Sequence, residues 1–266
     1  MKLMHPIAPY RGIPPEDCFV AANDQMLQMG TGDVTPFVQQ ELYPEAPLMI
    51  YMHLEAQPVV RSVLLGALIA RAEQIRANNP QAKGRLYTQI APDDWDLANF
   101  YTRSGFKADD SEDLYHLPLP SWPARPPVFC EYASVPLKTP DEAQAFLNRS
   151  NAYRIAPLDA GLLTQCMQME HFLAVGFYRG AHPVSEMLLT GEGQSVTLVS
   201  LYVRSDYRRQ GFAKAILGAA ADILRPRGVT QISARVFSRN AAQIGLMHAA
   251  GGKKVRTLSI LPGISL

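Results

Sequence analysis

At 266 residues and 29.4 kDa, the chain is long enough for two domains of roughly 150 residues each. Hydrophobic residues make up 47% and charged residues 18%, which excludes wholesale disorder. The net charge of +1 hides an asymmetry: residues 1–133 hold 10 Lys and Arg against 16 Asp and Glu, and residues 134–266 hold 15 against 8. An anionic ligand is therefore expected on the second half.

Met1 to Tyr10 lacks the apolar segment of a secretory signal. No uncharged apolar run reaches the ~18 to 20 residues of a membrane helix, the nearest candidates being broken by Arg61 and Lys214. The pattern then predicts a strand over Leu48–His53, a helix over Val59–Arg76, and a strand over Arg85–Gln89. A helix over Trp95–Ser104, closed by Gly105, and strands through Leu114–Leu117 follow. Pro118, Pro120, Pro123, Pro126 and Pro127 next crowd one stretch, a density that prevents helix and central strand. The domains are accordingly expected at 1–120 and 128–266, joined by a proline-rich linker at 121–127.

Past the linker, Thr139–Asn148 and Ala160–Met169 read as amphipathic helices. Phe172–Tyr178, Val184–Thr190 and Ser195–Val203 read as strands, with Gly191 and Gly193 turning between the last two. A helix over Gly211–Leu224, a strand over Gln231–Phe237, a helix over Ala241–Ala250 and a strand over Lys253–Leu261 complete the order. Gly251 and Gly252 suit the left-handed close of the last helix. Setting Tyr51 beside Tyr202 lays Gln57–Ser62 over Arg208–Ala213 and superposes the long helices, so the chain reads as two copies of one fold. Too few residues precede the first copy for an opening strand and helix pair, and it is expected to be truncated.

Cys18, Cys130 and Cys166 lie far apart and form no CxxC pair, so neither a disulfide framework nor a zinc knuckle is expected, and a reducing cytoplasm is the natural compartment. His5, His53, His116 and His182 show no ligand spacing, and no metal is expected. Scattered basic residues without aromatic interleaving argue against nucleic acid as the anion. GxSxG, GxxxxGK[ST] and GxGxxG are all absent.

The chemistry is best sought in LYVRSDYRRQGFAKAIL, residues 201–217, where a strand ends, a short polar loop follows and a helix begins near Gly211. First-turn amides of a helix lack intrahelical partners, and the helix dipole adds positive potential. Gly211 removes a side chain where a ligand would approach, Ala213 stays small, and Arg208 and Arg209 add fixed charge, so a pyrophosphate fits this place. A solvated turn with a capping role remains the plain alternative.

Arg208-Arg209-Gln210-Gly211-Phe212-Ala213 resembles the Q/R-x-x-G-x-G/A signature of the GNAT superfamily of N-acetyltransferases. Leu201-Tyr202-Val203 is similar to that family's fourth strand, and Asn240 with Leu246 and Gly251-Gly252 to its following helix. Ala98-Asn99-Phe100-Tyr101 with Gly105-Phe106 matches the same helix in the first copy. The resemblance implies an α/β (α+β) fold of two GNAT-like domains in tandem. Each would be a mixed, mostly antiparallel sheet flanked by helices, the N-terminal copy degenerate. It further implies an acetyl-CoA or other acyl-CoA held between splayed strands: backbone groups of Leu201, Tyr202 and Val203 on the pantetheine, amides from Arg209 through Lys214 on the pyrophosphate, and Asn240 near the thioester. The function it implies is transfer of an acetyl group directly to an amine of a small molecule or peptide. A non-catalytic acyl-CoA-binding protein is the alternative.

Each copy departs from the family pattern. In the first, Pro58 removes an amide and Val60 stands where glycine belongs, so this copy is expected to be structural or substrate-shaping. In the second, the family's usual tyrosine, seven positions after the asparagine, is Met247, which donates no proton; the first copy has Tyr101 there. His248 is the adjacent titratable residue, although successive helix positions point about 100° apart. For the base that deprotonates the amine, Glu186 on the third strand is the best-placed candidate, with Glu170 and His171 as alternatives.

Overall fold

The computed structural model describes residues 1–40, 42–122, 129–152, 154 and 157–266. They form two units: Met1–Ser111 with Ser259–Leu266, and Glu112–Leu258. This division differs from the expected 1–120 and 128–266, because partners in a strand ladder are chosen by register and burial rather than by nearness in sequence. Most of the expected linker, residues 123–127, lies outside the described residues.

The first unit contains β1 (Lys2–Met4), β2 (Cys18–Ala22), β3 (Gln28–Val38), β4 (Leu48–Ala56), α1 (Pro58–Ala77), β5 (Gly84–Tyr87), α2 (Trp95–Arg103) and the chain's last strand, β13 (Gly263–Ser265). Its sheet runs β1-β2-β3-β4-β5-β13, and only β4 and β5, joined through α1, pair in parallel. Pro58 sits in the first turn of α1, where its missing N–H is harmless. Val60, Leu64, Leu68, Ala72 and Ile75 recur at helical spacing on its buried side, against Val34, Ile50, Met52, Leu86 and Ala21. Two glycines of β3 permit the close approach: a Cβ on Gly32 would lie 2.7 Å from Leu68 Cδ1, and one on Gly30 would lie 2.9 Å from Leu64 Cδ1.

The start of this unit is shortened: β1 opens it, and a single 3-10 turn, Pro15–Asp17, stands before β2 where a helix pair would be. One expectation for this unit is corrected. Gln57–Ser62 is not a loop, since β4 runs to Ala56 and Gln57 is already the N-cap of α1. Val60 therefore packs in the core instead of facing a ligand.

The second unit contains β6 (Ser111–Pro118), β7 (Glu131–Ser134), α3 (Pro140–Asn151), α4 (Ala160–Met167), β8 (His171–Arg179), β9 (His182–Glu192), β10 (Ser195–Val203), α5 (Phe212–Leu224), β11 (Gln231–Phe237), α6 (Ala241–Ala249) and β12 (Lys253–Ile260). Its sheet runs β12-β6-β11-β10-β9-β8-β7, with β10 and β11 parallel. One face packs on α5 and α6 through Phe177, Val184, Met187, Ile216, Leu217 and Met247. The other packs on α3 and α4 through Phe146, Leu147, Leu163, Ala174 and Leu188. Thr139 and Glu142 close a capping box on α3, and Asp159 caps α4. Strand β6, expected in the first copy, pairs with β11 from Glu112↔Phe237 to Pro118↔Gln231. Among the described residues no helix is long and apolar enough to cross a membrane.

Candidate functional site

Strands β10 and β11 pair only from Ser195↔Gln231 to Leu198↔Ala234. A bulge follows at Val199, and from Ser200 to Val203 β10 continues along β9, while β11 continues to Phe237 along β6. The two parallel strands thus part at their C-terminal ends. A bulge re-aims a strand in this way and exposes main-chain groups along the edge left open. Leu201, Tyr202 and Val203 lie on that stretch, each half-buried.

The loop beyond β10 is anchored at both ends. Arg204 N–H donates to the Val184 carbonyl at 2.9 Å, and a 3-10 turn spans Ser205–Tyr207. Arg208 Nε donates to the Val203 carbonyl at 3.3 Å, and Gln210 Nε2 to the Asp206 carbonyl at 2.8 Å. Tyr207 stacks edge-on to buried Phe212 at 5.4 Å, which ties the loop to the core. Arg209 and Gly211 both take the left-handed conformation, with φ of 59° and 86°. A Cβ built on Gly211 meets nothing within 4 Å, so the space in front of the helix is open.

The first intrahelical bond of α5 runs from Ala215 N–H to the Gly211 carbonyl at 2.9 Å. The amides of Phe212, Ala213 and Lys214 precede it and lie at the positive end of a 13-residue helix. Arg209, Gln210 and Lys214 are exposed beside them. Lys214 also packs its ammonium 4.7 Å from the Trp122 ring centre. Exposed cations, successive amides and absent side-chain bulk are what a diphosphate requires, and the residues present fit such a group.

Asn240 is the N-cap of α6, its side chain accepting from Gln243 N–H at 3.0 Å. Met247 is 2% exposed and packs in the core, whereas His248 is exposed. The first unit repeats this geometry: Asp94 caps α2 through Leu97 N–H at 3.0 Å, and Tyr101 lies seven positions on. Burial pushes the Tyr101 hydroxyl up to about 12, against a hydrogen bond with Thr88 that acts in the opposite direction.

The structure gives Glu186 a different task from the proton acceptor expected of it. Arg149 Nε and Nη2 donate to its two oxygens at 2.7 and 2.8 Å, and the Tyr178 hydroxyl donates to Oε1 at 2.9 Å. Both oxygens of this buried carboxylate are thus engaged by a guanidinium fork, one of them also by the Tyr178 hydroxyl. Glu170 and His171 are likewise structural, since Glu170 accepts from Gly193 N–H at 2.8 Å and His171 Nε2 lies 2.7 Å from the Gly193 carbonyl. Both hold the β9–β10 turn.

On the α3 and α4 face, the split is bordered by residues that no sequence motif singled out. Arg154 Nη1 donates to the Val199 carbonyl at the bulge. Ser200 and Ser150 share a buried 2.9 Å hydrogen bond that pins α3 to β10. Arg235 Nη1 lies 3.5 Å from Glu112 Oε1. Burial lowers the pKa of Arg154, with Cys166 and Glu112 acting against that and Arg235 with it.

Residues 129–251 match the acetyltransferase (GNAT) family. Among solved structures, the chain is similar to a GCN5-related N-acetyltransferase from Sphaerobacter thermophilus, at 16% identity and a TM-score of 0.50, covering 96% of this chain and 82% of that one. A conserved protein of unknown function from Enterococcus faecalis aligns at 13% identity and a TM-score of 0.55, covering 92% of this chain. A GCN5-related N-acetyltransferase from Anabaena variabilis aligns at 14% identity and a TM-score of 0.53, covering 95%. The chain spans only 61% and 63% of the length of the last two. At these identities the likeness is one of fold. Among curated proteins none matches the sequence.

Proposed function

We propose that the protein is an acyl-CoA-dependent N-acyltransferase whose chemistry lies in the second unit, a reading supported by the match of residues 129–251 to the acetyltransferase (GNAT) family. The observation that carries this reading is the parting of β10 and β11 above an open helix N-terminus at Gly211. The diphosphate is held by amides of the first turn of α5, with Arg208, Arg209 and Lys214 supplying charge. Main-chain groups of Leu201, Tyr202 and Val203 pair with the pantetheine arm along the free edge of β10. Asn240 lies on the far side, whereas Met247, expected beside it, is packed in the core and does not line the site. When bound, the acyl-CoA, most simply acetyl-CoA, supplies a thioester whose C–S bond breaks as the amine nitrogen takes the acyl carbon and loses one proton.

Neither Met247, which carries no proton, nor exposed His248 supplies a general acid. The omission is tolerable because thiols ionise near pH ~8.5, so sulfur leaves without help far more readily than an alkoxide. General acid catalysis is worth about 10² to 10⁴ in rate, and a slow enzyme is expected. Loss of the acid also motivates the alternative of a non-catalytic acyl-CoA-binding protein.

Calorimetric titration with acetyl-CoA tests the reading. Saturation at one site per chain, abolished by Gly211→Glu, is expected, because the new carboxylate projects into open space at the anion site. Absence of saturable heat in the unmodified protein overturns the reading. Saturation without thiol release across a panel of amines supports the non-catalytic alternative.

A further inference from the structure

Beyond Pro118, the last residue of β6, the chain passes along α5. Leu119 N–H donates to the Thr230 carbonyl at 2.9 Å, and Arg225, at the end of α5, donates to the Pro120 carbonyl. Pro118 and Pro120 restrict φ along this stretch. At its other end Trp122 Nε1–H donates to the Lys214 carbonyl at 3.2 Å, in the first turn of α5. The indole also packs against the core that α5 shares with the sheet, yet stays half-buried. Residues 119–122 are thus tied to both ends of one helix.

An indole N–H lies in the plane of its ring, so a ring that donates to a helix carbonyl meets the helix by its edge and turns its faces aside. The Lys214 ammonium lies over one face, 4.7 Å from the ring centre, and Lys214 is itself exposed. An exposed cation over a ring is held weakly, and a nucleobase stacks on an aromatic ring more strongly. Lys214 also supplies one of the first-turn amides at the place proposed for the diphosphate. In coenzyme A a single ribose joins the diphosphate to adenine, so a ring bonded to that same residue is within reach of the base.

We infer that Trp122 is the platform for the adenine ring of coenzyme A, and that Lys214 gives up the ring face and turns its ammonium to the phosphates. The inference rests on the acyl-CoA reading and adds to it a residue that lies outside the loop, 89 positions before Gly211. Trp122 is then a positioning residue. It holds the end of the cofactor remote from the thioester, and contacts made equally in ground and transition states lower KM without raising kcat. A segment upstream of β7 thus sets the preference for the complete coenzyme over its pantetheine half.

Tryptophan emission tests this without turnover. The chain has two tryptophans, and Trp95, in the first unit, is 73% exposed, so Trp95→Phe leaves Trp122 as the sole indole emitter. In that variant coenzyme A is expected to quench the emission with saturation, and 4′-phosphopantetheine, which has no base, to leave it in place. Saturable heat from coenzyme A with unchanged emission overturns the inference, as does equal quenching by both compounds. Trp122→Leu keeps apolar bulk on α5 but removes the platform. By calorimetry its Kd for coenzyme A is expected to rise about 5- to 150-fold, the range of base–aromatic stacking, and Trp122→Phe to recover part of that loss. An unchanged Kd in Trp122→Leu overturns the inference. Where Trp122→Leu fails to fold, the emission titration decides alone. Failure of coenzyme A to saturate the unmodified protein is a different result, which removes the acyl-CoA reading itself.

Discussion

Glu186 shows how far residue type and position reach before geometry takes over. Its place on the third strand of the second unit was legible, but its partners come from β8 and from α3, 37 residues away in sequence for Arg149. Removing one member of a buried ion pair strands the other charge, at about 3 to 5 kcal/mol. Urea unfolding of Arg149→Ala is expected to show a loss of that size. Glu186→Gln should keep the acid limb of the kcat/KM pH profile in place. Disappearance of that limb would return Glu186 to proton transfer. The departure at Met247 was legible only through the family resemblance, which implies a tyrosine seven positions after the asparagine. The bond from Arg154 to the Val199 carbonyl was not, since nothing in the spacing of two segments 45 residues apart announces it.

Among elements, the two strand-to-helix connections explain why the copies diverge. In the second unit seven residues separate Val203 from the Gly211 N-cap, enough for the bend that frees the first-turn amides. In the first unit β4 passes into the N-cap of α1 without an intervening loop, and Val60 is spent on the core. The apolar spacing of α1 was visible in the sequence, but its depth on the sheet depends on Gly30 and Gly32 of β3. Gly32→Val is expected to cost about 1 to 3 kcal/mol by overpacking against Leu68, read from thermal or urea unfolding. A change within ±0.5 kcal/mol, ordinary for a surface site, would show that α1 can move away.

For the whole molecule, the first unit depends on the end of the chain. β13 pairs with β5 from Gly263↔Tyr87 to Ser265↔Arg85, and Thr88 N–H donates to the Pro262 carbonyl at 3.1 Å. Gly263 is required there, because a Cβ would lie 2.6 Å from Arg85 Nε. Deleting residues 262–266 opens that edge of β5. Amide exchange in Gly84–Thr88 is expected to accelerate while acetyl-CoA binding to the second unit persists. Unchanged exchange would mean that β13 covers the edge without protecting it.

The sequence by itself determined the repeating order of strands and helices and the loop before Gly211. These follow from periodicity, caps and spacing, which act over a few residues. Only the tertiary structure decided that β6 belongs to the second sheet, that β13 completes the first, and that Glu186 is paired with Arg149. Strand partners and buried ion pairs are chosen by which surfaces can be desolvated together. That choice joins residues more than a hundred positions apart, as between β6 and β11, and leaves no local signature.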